Sequence, residues 1–280
     1  MNSNDSAVPD HDSAAPDHAS VVTDHDSAAP HITRAMILAA GLGTRFKPWT
    51  DRHPKALAPV NGKSLLQRNI EYLQTAGIRE VVVNVHHFAE QIIDALDDNK
   101  GWGSHVIISD ETAAVLETGG GLFKARPFLE SAPFVLMNVD ILTDMDLSAL
   151  IGDHFRHASA ARNAGRPAPL ATLAVTDRVT SRYFLFDRQD ELCGWRNATT
   201  GQERISRPTD LPPAAWAFSG IHVIDPSIFP LIDRAGKFSM VDLYLDLAAG
   251  HSIRGYDHSR SKLIDVGKPE SAELAARLFP

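Results

Sequence analysis

The stretch from Ala35 to Pro59 limits what this chain can fold into more than any other. Met36 to Ala40 is a short apolar run of the kind that forms a buried strand, and Gly41 and Gly43 follow it at once. Two glycines at the end of a strand let backbone amides approach a ligand with no side chain between, which suits phosphate. Arg45 then supplies a planar guanidinium, and Lys55, positioned by Pro54, a second cation, so a polyphosphate can be held from two sides. The dinucleotide fingerprint Gly-x-Gly-x-x-Gly does not fit, because Phe46 stands where its third glycine belongs.

Beyond this loop, Leu65, Leu66, Ile70 and Leu73 have helical spacing and Gly77 is a natural stop. Glu80 to Val85 reads as a second strand, Ala89 to about Asp97 as a helix, His105 to Ser109 as a third strand and Phe134 to Asp140 as a fourth. Strands alternating with helices imply right-handed crossovers, hence a mainly parallel sheet in an α/β domain. Ligands collect at the carboxyl ends of such strands, where the glycine loop, Asn84 and Asp140 all fall. Glu117-Thr-Gly-Gly-Gly121 is expected to precede a helix from Leu122 to Leu129 and to offer free amides to a phosphate or a base edge.

The second half is less regular. A helix from Leu147 to about Ala160 leads into strands at Ala171 to Val175, Tyr183 to Asp187, Leu192 to Arg196 and Ala217 to Ile224. Their close spacing suggests a small antiparallel subregion. A helix at Phe238 to Ala249, strands at Ile253 to Tyr256 and Leu263 to Val266, and a helix from Pro269 to Leu278 complete the chain. Asp265, like Asp140, would close an apolar strand, a costly place for a carboxylate unless a cation compensates it.

At 280 residues the chain suits one large domain, residues 34–280, preceded by a low-complexity segment. Residues 1–33 hold a near repeat, Asp10-His-Asp-Ser-Ala-Ala-Pro16 and Asp24-His-Asp-Ser-Ala-Ala-Pro30, and too few large apolar residues to offset their ordering entropy, so disorder is expected. The segment lacks a basic start and a continuous apolar stretch, so no secretory leader is expected. It carries six Asp and no Lys, Arg or Glu, which leaves the rest of a chain of net charge −8 nearly neutral. Nothing there calls for nucleic acid, and no apolar run approaches the ~20 residues of a membrane helix. Cys193 is alone, which excludes an intrachain disulfide and points to the cytoplasm. His86 and His87 are adjacent in a strand-end context and point to opposite sides, so they do not share one ion; one is expected to line or cover the site.

Leu38-Ala-Ala-Gly-Leu-Gly-Thr-Arg45, Pro54-Lys55, Asn138-Val-Asp140, Phe218-Ser-Gly-Ile221 and Asp265-Val-Gly267 together resemble the sugar-1-phosphate nucleotidyltransferase family over about Arg34 to Phe279. Leu116-Glu-Thr-Gly-Gly-Gly121 is similar in particular to the bacterial N-acetylmuramate-1-phosphate uridylyltransferases. The resemblance implies a Rossmann-like mixed sheet with helices on both faces, a nucleotide-binding half at about 34–140 and a sugar-binding half at about 141–280. By that resemblance Leu38, Ala39, Ala40, Gly41, Gly43, Thr44, Arg45, Lys55, Asn84, Glu111, Gly119 and Gly120 hold the nucleotide. Glu117, Asn138, Ser219 and Gly220 meet the sugar, and Asp140 and Asp265 carry Mg²⁺. Arg45, Lys55, Asp140 and Asp265 are the expected catalytic set, acting on UTP and N-acetylmuramic acid 1-phosphate. Mannose-1-phosphate guanylyl transfer and a catalytically silent nucleotide-sugar sensor are the alternatives, and a monomer or small homo-oligomer is expected. The sequence departs from the pattern at Val139, where glycine is common, and near Tyr183, which lacks the family's acidic sugar contact.

Overall fold

The computed structural model describes Met1 and residues 31–280; the expected disordered segment falls largely on residues 2–30, outside the described residues. Strand β1 (Arg34–Leu38) opens the domain and is followed by three 3-10 turns and a small hairpin, β2 (Pro59–Val60) with β3 (Lys63–Ser64). Helix α1 (Leu65–Thr75) begins where the Gln67 amide donates to Ser64 Oγ at 3.0 Å. Then come β4 (Glu80–Val85), α2 (Ala89–Asp98), β5 (His105–Asp110), α3 (Glu117–Lys124), α4 (Arg126–Leu129), β6 (Phe134–Asn138) and β7 (Ile141–Thr143). The second half adds α5 (Leu147–Asn163), β8 (Ala171–Thr176), β9 (Arg182–Phe186), β10 (Leu192–Asn197), β11 (Glu203–Ile205) and β12 (Ala214–Ile224). It closes with α6 (Met240–Leu247), β13 (Ile253–Asp257), β14 (Leu263–Asp265) and α7 (Pro269–Leu278).

One ten-stranded sheet spans both halves, in the order β11-β10-β9-β12-β6-β1-β4-β5, with β8 and β13 beside β12. From β6 to β5 all pairings are parallel. Strand β12 turns the sheet antiparallel by pairing with β6, β8 and β9. The architecture is therefore the Rossmann-like mixed fold that the sequence implied.

Successive residues of a strand face opposite sides, so a strand covered on both faces is apolar throughout. In β1, Ala35 and Ile37 join a core with Leu66, Ile70, Ile92 and Leu150 of α1, α2 and α5. Met36 joins the other, with Leu122, Leu129, Leu243 and Tyr244 of α3, α4 and α6. Helices thus cover both faces and leave the strand ends of β1, β4 and β6 as the open edge.

Two expectations change here. Asp140 does not close a strand: β6 stops at Asn138 and Asp140 lies in the turn before β7. The glycine triplet does not precede a helix either, since α3 begins at Glu117 and contains all three glycines.

Candidate active site

The glycine loop is clamped from beneath. The amides of Ala39 and Ala40 donate to Asn84 Oδ1 at 2.6 and 3.3 Å, and Asn84 Nδ2 donates to Glu111 Oε1 at 2.7 Å. Both side chains are buried, and burial pushes the Glu111 carboxyl above its ordinary range while the Asn84 amide opposes the shift. Gly41 has open space around it, which leaves its backbone accessible to a ligand. Gly43 has φ +59°, and a Cβ there would lie 2.8 Å from Thr50 Cγ2 and 3.0 Å from Lys55 Cβ. A glycine at that point lets Lys55 pack against the loop.

Lys55 is largely buried and its Nζ donates to Asp140 Oδ2 at 2.5 Å. Strand β14 pairs antiparallel with β7, setting Asp265 opposite Ile141, and the Val266 amide donates to the Asp140 carbonyl at 2.8 Å. Two aspartates far apart in sequence are thereby brought together, Asp265 at the end of β14 and Asp140 in the turn before β7. Asp265 reaches solvent at its outer edge, yet the protein around its carboxyl raises its pKa, and Asp140 raises it further against Lys55 and Arg45. A Cβ on Gly267 would meet Asp265 Oδ1 at 2.9 Å and Arg45 Nη2 at 3.4 Å, so Arg45 and Asp265 flank the same glycine.

No group of three His, Cys, Asp or Glu side chains gathers as a metal cage among the described residues. The donor set still fits Mg²⁺, which is held by one or two carboxylates together with substrate phosphates and water. Burial and then the neighbouring Asp140 push the Asp265 carboxyl up, so a cation between the two carboxylates would relieve their repulsion beyond what Lys55 and Arg45 supply.

A cavity of about 510 Å³ lies against the loop. Of the expected residues, Leu38, Ala40, Gly41, Gly43, Thr44, Asn84, Glu111 and Glu117 line it. Ala39 sits beneath it, buried, and acts through its amide bond to Asn84. Lys237, Ser239, Thr118, Val115 and Leu42 also line it and were not foreseen. Glu117 takes a left-handed φ of +59° and pairs with Lys237 at 3.4 Å.

Gly119 and Gly120 need correction as nucleotide ligands. Their amides donate to the Phe238 carbonyl at 2.9 and 3.2 Å, so neither is free for phosphate. A Cβ on Gly119 would lie 2.4 Å from the Phe238 ring, and one on Gly120 would lie 2.1 Å from the Gly236 carbonyl oxygen. These glycines serve the close approach of α3 to residues 236–238. Ser219 needs correction too. It is fully buried and its Oγ is 2.7 Å from His258 Nε2, so its hydroxyl faces the protein interior and not a cavity. Gly220, at φ +76°, packs against the Asn138 side chain, since a Cβ there would be 2.7 Å from Asn138 Nδ2. Of the two histidines, His86 Nδ1 donates to the Glu111 carbonyl at 2.7 Å, while the His87 ring lies against Phe88.

A second cavity, about 320 Å³, shares Ser239 with the first and is lined by Arg178, Tyr183, Trp195, Phe218 and Asp242 among others. Asp242 of α6 lines this cavity together with Tyr183 and pairs with Arg204 at 3.3 Å. A larger cavity of about 620 Å³, between the 3-10 turns and α7, contains none of the expected groups.

Residues 34–169 match the family model described as nucleotidyl transferase. The N-acetylmuramate alpha-1-phosphate uridylyltransferase of Caulobacter vibrioides is 32% identical over 252 residues, 89% of this chain and 97% of that one. The protein of the same description from Neisseria meningitidis serogroup B is 45% identical over 116 residues, 41% of this chain and 50% of that one. Among solved structures, HddC from Yersinia pseudotuberculosis has the same fold, with a TM-score of 0.69 at 23% identity over 89% of this chain and 100% of that one.

Proposed function

This chain belongs to the nucleotidyl transferase family and is an enzyme that moves a nucleoside monophosphate from a nucleoside triphosphate to a sugar 1-phosphate; from that premise we propose that it joins UTP to N-acetylmuramic acid 1-phosphate with Mg²⁺. The observation that carries the chemistry is the Lys55–Asp140 pair set beside Asp265 at the mouth of the glycine loop. The choice of substrates is supported by Glu117 at the head of the glycine-bearing helix and by the near full-length likeness to the Caulobacter relative.

In this reading residues 34–140 hold the nucleotide and residues 141–280 the sugar. The Gly41 and Gly43 backbone receives the triphosphate. An oxygen of the sugar 1-phosphate attacks the α-phosphorus in line, the new P–O bond forms, and the bond to the β-phosphate breaks to release pyrophosphate. Arg45 neutralises charge growing on that leaving group, and Lys55 holds phosphate oxygens at the reacting centre. Mg²⁺ held by Asp140 and Asp265 would supply further neutralisation of the same oxygens. No general base is needed, because the attacking phosphate oxygen is already negative.

The test is pyrophosphate release from each nucleoside triphosphate with a panel of sugar 1-phosphates. The highest kcat/KM is expected for UTP with N-acetylmuramic acid 1-phosphate. A preference for GTP with mannose 1-phosphate would replace that pair, and no release with any combination would leave a nucleotide-sugar sensor.

A further inference from the structure

Arg178 stands in the loop between β8 and β9 and projects into the second cavity. One of its nitrogens, Nη2, donates to the Phe218 carbonyl at 2.9 Å, which fixes the plane of the guanidinium. Its Nε is buried with no acceptor, and the side chain has no ion-pair partner among the described residues. A guanidinium drawn partly out of water without an anion is costly, because its lost hydration is not replaced. The one carboxylate of the cavity, Asp242, is engaged with Arg204, while Arg182 adds a second positive charge to the lining. Tyr183, Trp195 and Phe218 provide the apolar walls on which a sugar ring can rest.

The cavity adjoins the first one, because Ser239 lines both. Phe218, which holds Arg178, is followed two residues later by Gly220 against Asn138, and Asn138 precedes Asp140 by two. An acceptor lying on the aromatic walls would thus have the cavity against the glycine loop next to it.

We propose that Arg178 binds an oxyanion of the acceptor sugar, a role that rests on the sugar-phosphate reading above. The oxyanion is either the 1-phosphate or a carboxylate carried by an acidic sugar, and planar two-point recognition by arginine suits both.

Titration calorimetry tests this with three probes: N-acetylmuramic acid 1-phosphate, N-acetylglucosamine 1-phosphate, which lacks the carboxylate, and inorganic phosphate. Each is titrated into the wild type, Arg178→Gln and Arg178→Lys, with thermal melting of each variant as the check on folding. Arg178→Gln should weaken acceptor binding about tenfold or more. UTP affinity should be unchanged, and Arg178→Lys should recover part of the loss. Weakening of both sugar phosphates identifies the phosphate as the bound group; weakening of the acidic sugar alone identifies the carboxylate. Binding of inorganic phosphate that depends on Arg178, with neither sugar phosphate bound by the wild type, keeps the anion site and removes the sugar reading. An Arg178→Gln protein that melts normally and binds all three probes as the wild type does would overturn the inference.

Discussion

Asn69 of α1 reaches across the core to the turn that carries Asp140: its Nδ2 donates to the Val139 carbonyl at 2.7 Å and to the Leu65 carbonyl at 3.0 Å. Asn69 is buried, so the bond is shielded from competing water. Asn69→Leu keeps the bulk and removes the donor, leaving the Val139 carbonyl unpaired at a cost of roughly 1–3 kcal/mol. If the bond positions Asp140, kcat should fall about tenfold or more well below the melting temperature. KM for the triphosphate should stay within about twofold, since Asn69 touches no ligand. Equal loss in kcat and triphosphate affinity would reduce Asn69 to a general packing residue.

Gly119→Ala should be destabilising although alanine favours helix by about 1 kcal/mol. The added Cβ would sit 2.4 Å from the Phe238 ring, and overpacking of that kind costs about 1–3 kcal/mol. Moving residues 236–239 would also displace Lys237 and Ser239 from the nucleotide cavity, so triphosphate KM should rise with the drop in Tm. A variant of unchanged Tm and KM would show that these segments are not in close packing.

Glu117→Gly relieves a left-handed backbone that costs a non-glycine residue roughly 1 kcal/mol, so Tm should hold or rise. It also breaks the pair with Lys237 and opens the cavity wall. Selectivity across the triphosphate and sugar-phosphate panel is expected to shift more than stability does. Constant selectivity would confine Glu117 to the start of α3.

Acid should destabilise the fold through three buried imidazoles, those of His154, His222 and His258. Burial lowers the pKa of His154 and His258 to about 4 and of His222 to about 3, from an unfolded value of 6.5. Below pH 6.5 the unfolded chain therefore binds protons that the folded one refuses. Stability is fully present above pH 6.5 and is lost as pH falls, toward pH 4 for His154 and His258 by on the order of 3 kcal/mol each, and toward pH 3 for His222 by on the order of 5 kcal/mol. Denaturant melts from pH 7.5 to 4.5 measure this. His154→Gln should make the profile shallower, with His222 and His258 keeping the rest, and a wild-type stability independent of pH over that range would contradict the assignment.

The apolar pattern made much of this fold legible in the sequence. Glu80–Val85 and Pro269–Leu278 were expected with the bounds that the structure has, because a buried strand and a proline-started helix are both locally encoded. A shared cation implied that Asp140 and Asp265 lie near each other; the structure brings them together through β7, a strand not foreseen in the sequence, which pairs with β14. The glycine triplet was misread because local propensity sets glycine outside helices. Here the Phe238 carbonyl and the space that residues 236–238 require override that tendency. Ser219 was misread for a similar reason, since its partner His258 comes from a distant loop. Arg178 and Asp242 gave no local sign, because the cavity that makes them neighbours is assembled from a loop and a helix well separated in sequence.

The central claim is that Asp140 and Asp265 act together on one transfer site. Mg²⁺-dependent pyrophosphate release by Asp140→Asn, Asp265→Asn and the double variant tests it most directly, with circular dichroism confirming the fold of each. The account predicts a loss on the order of 100-fold or more for each single change, and a double variant little worse than either, since groups that serve one ion are not additive. Near-normal Mg²⁺-dependent release in either single variant, or losses that multiply in the double, would contradict it.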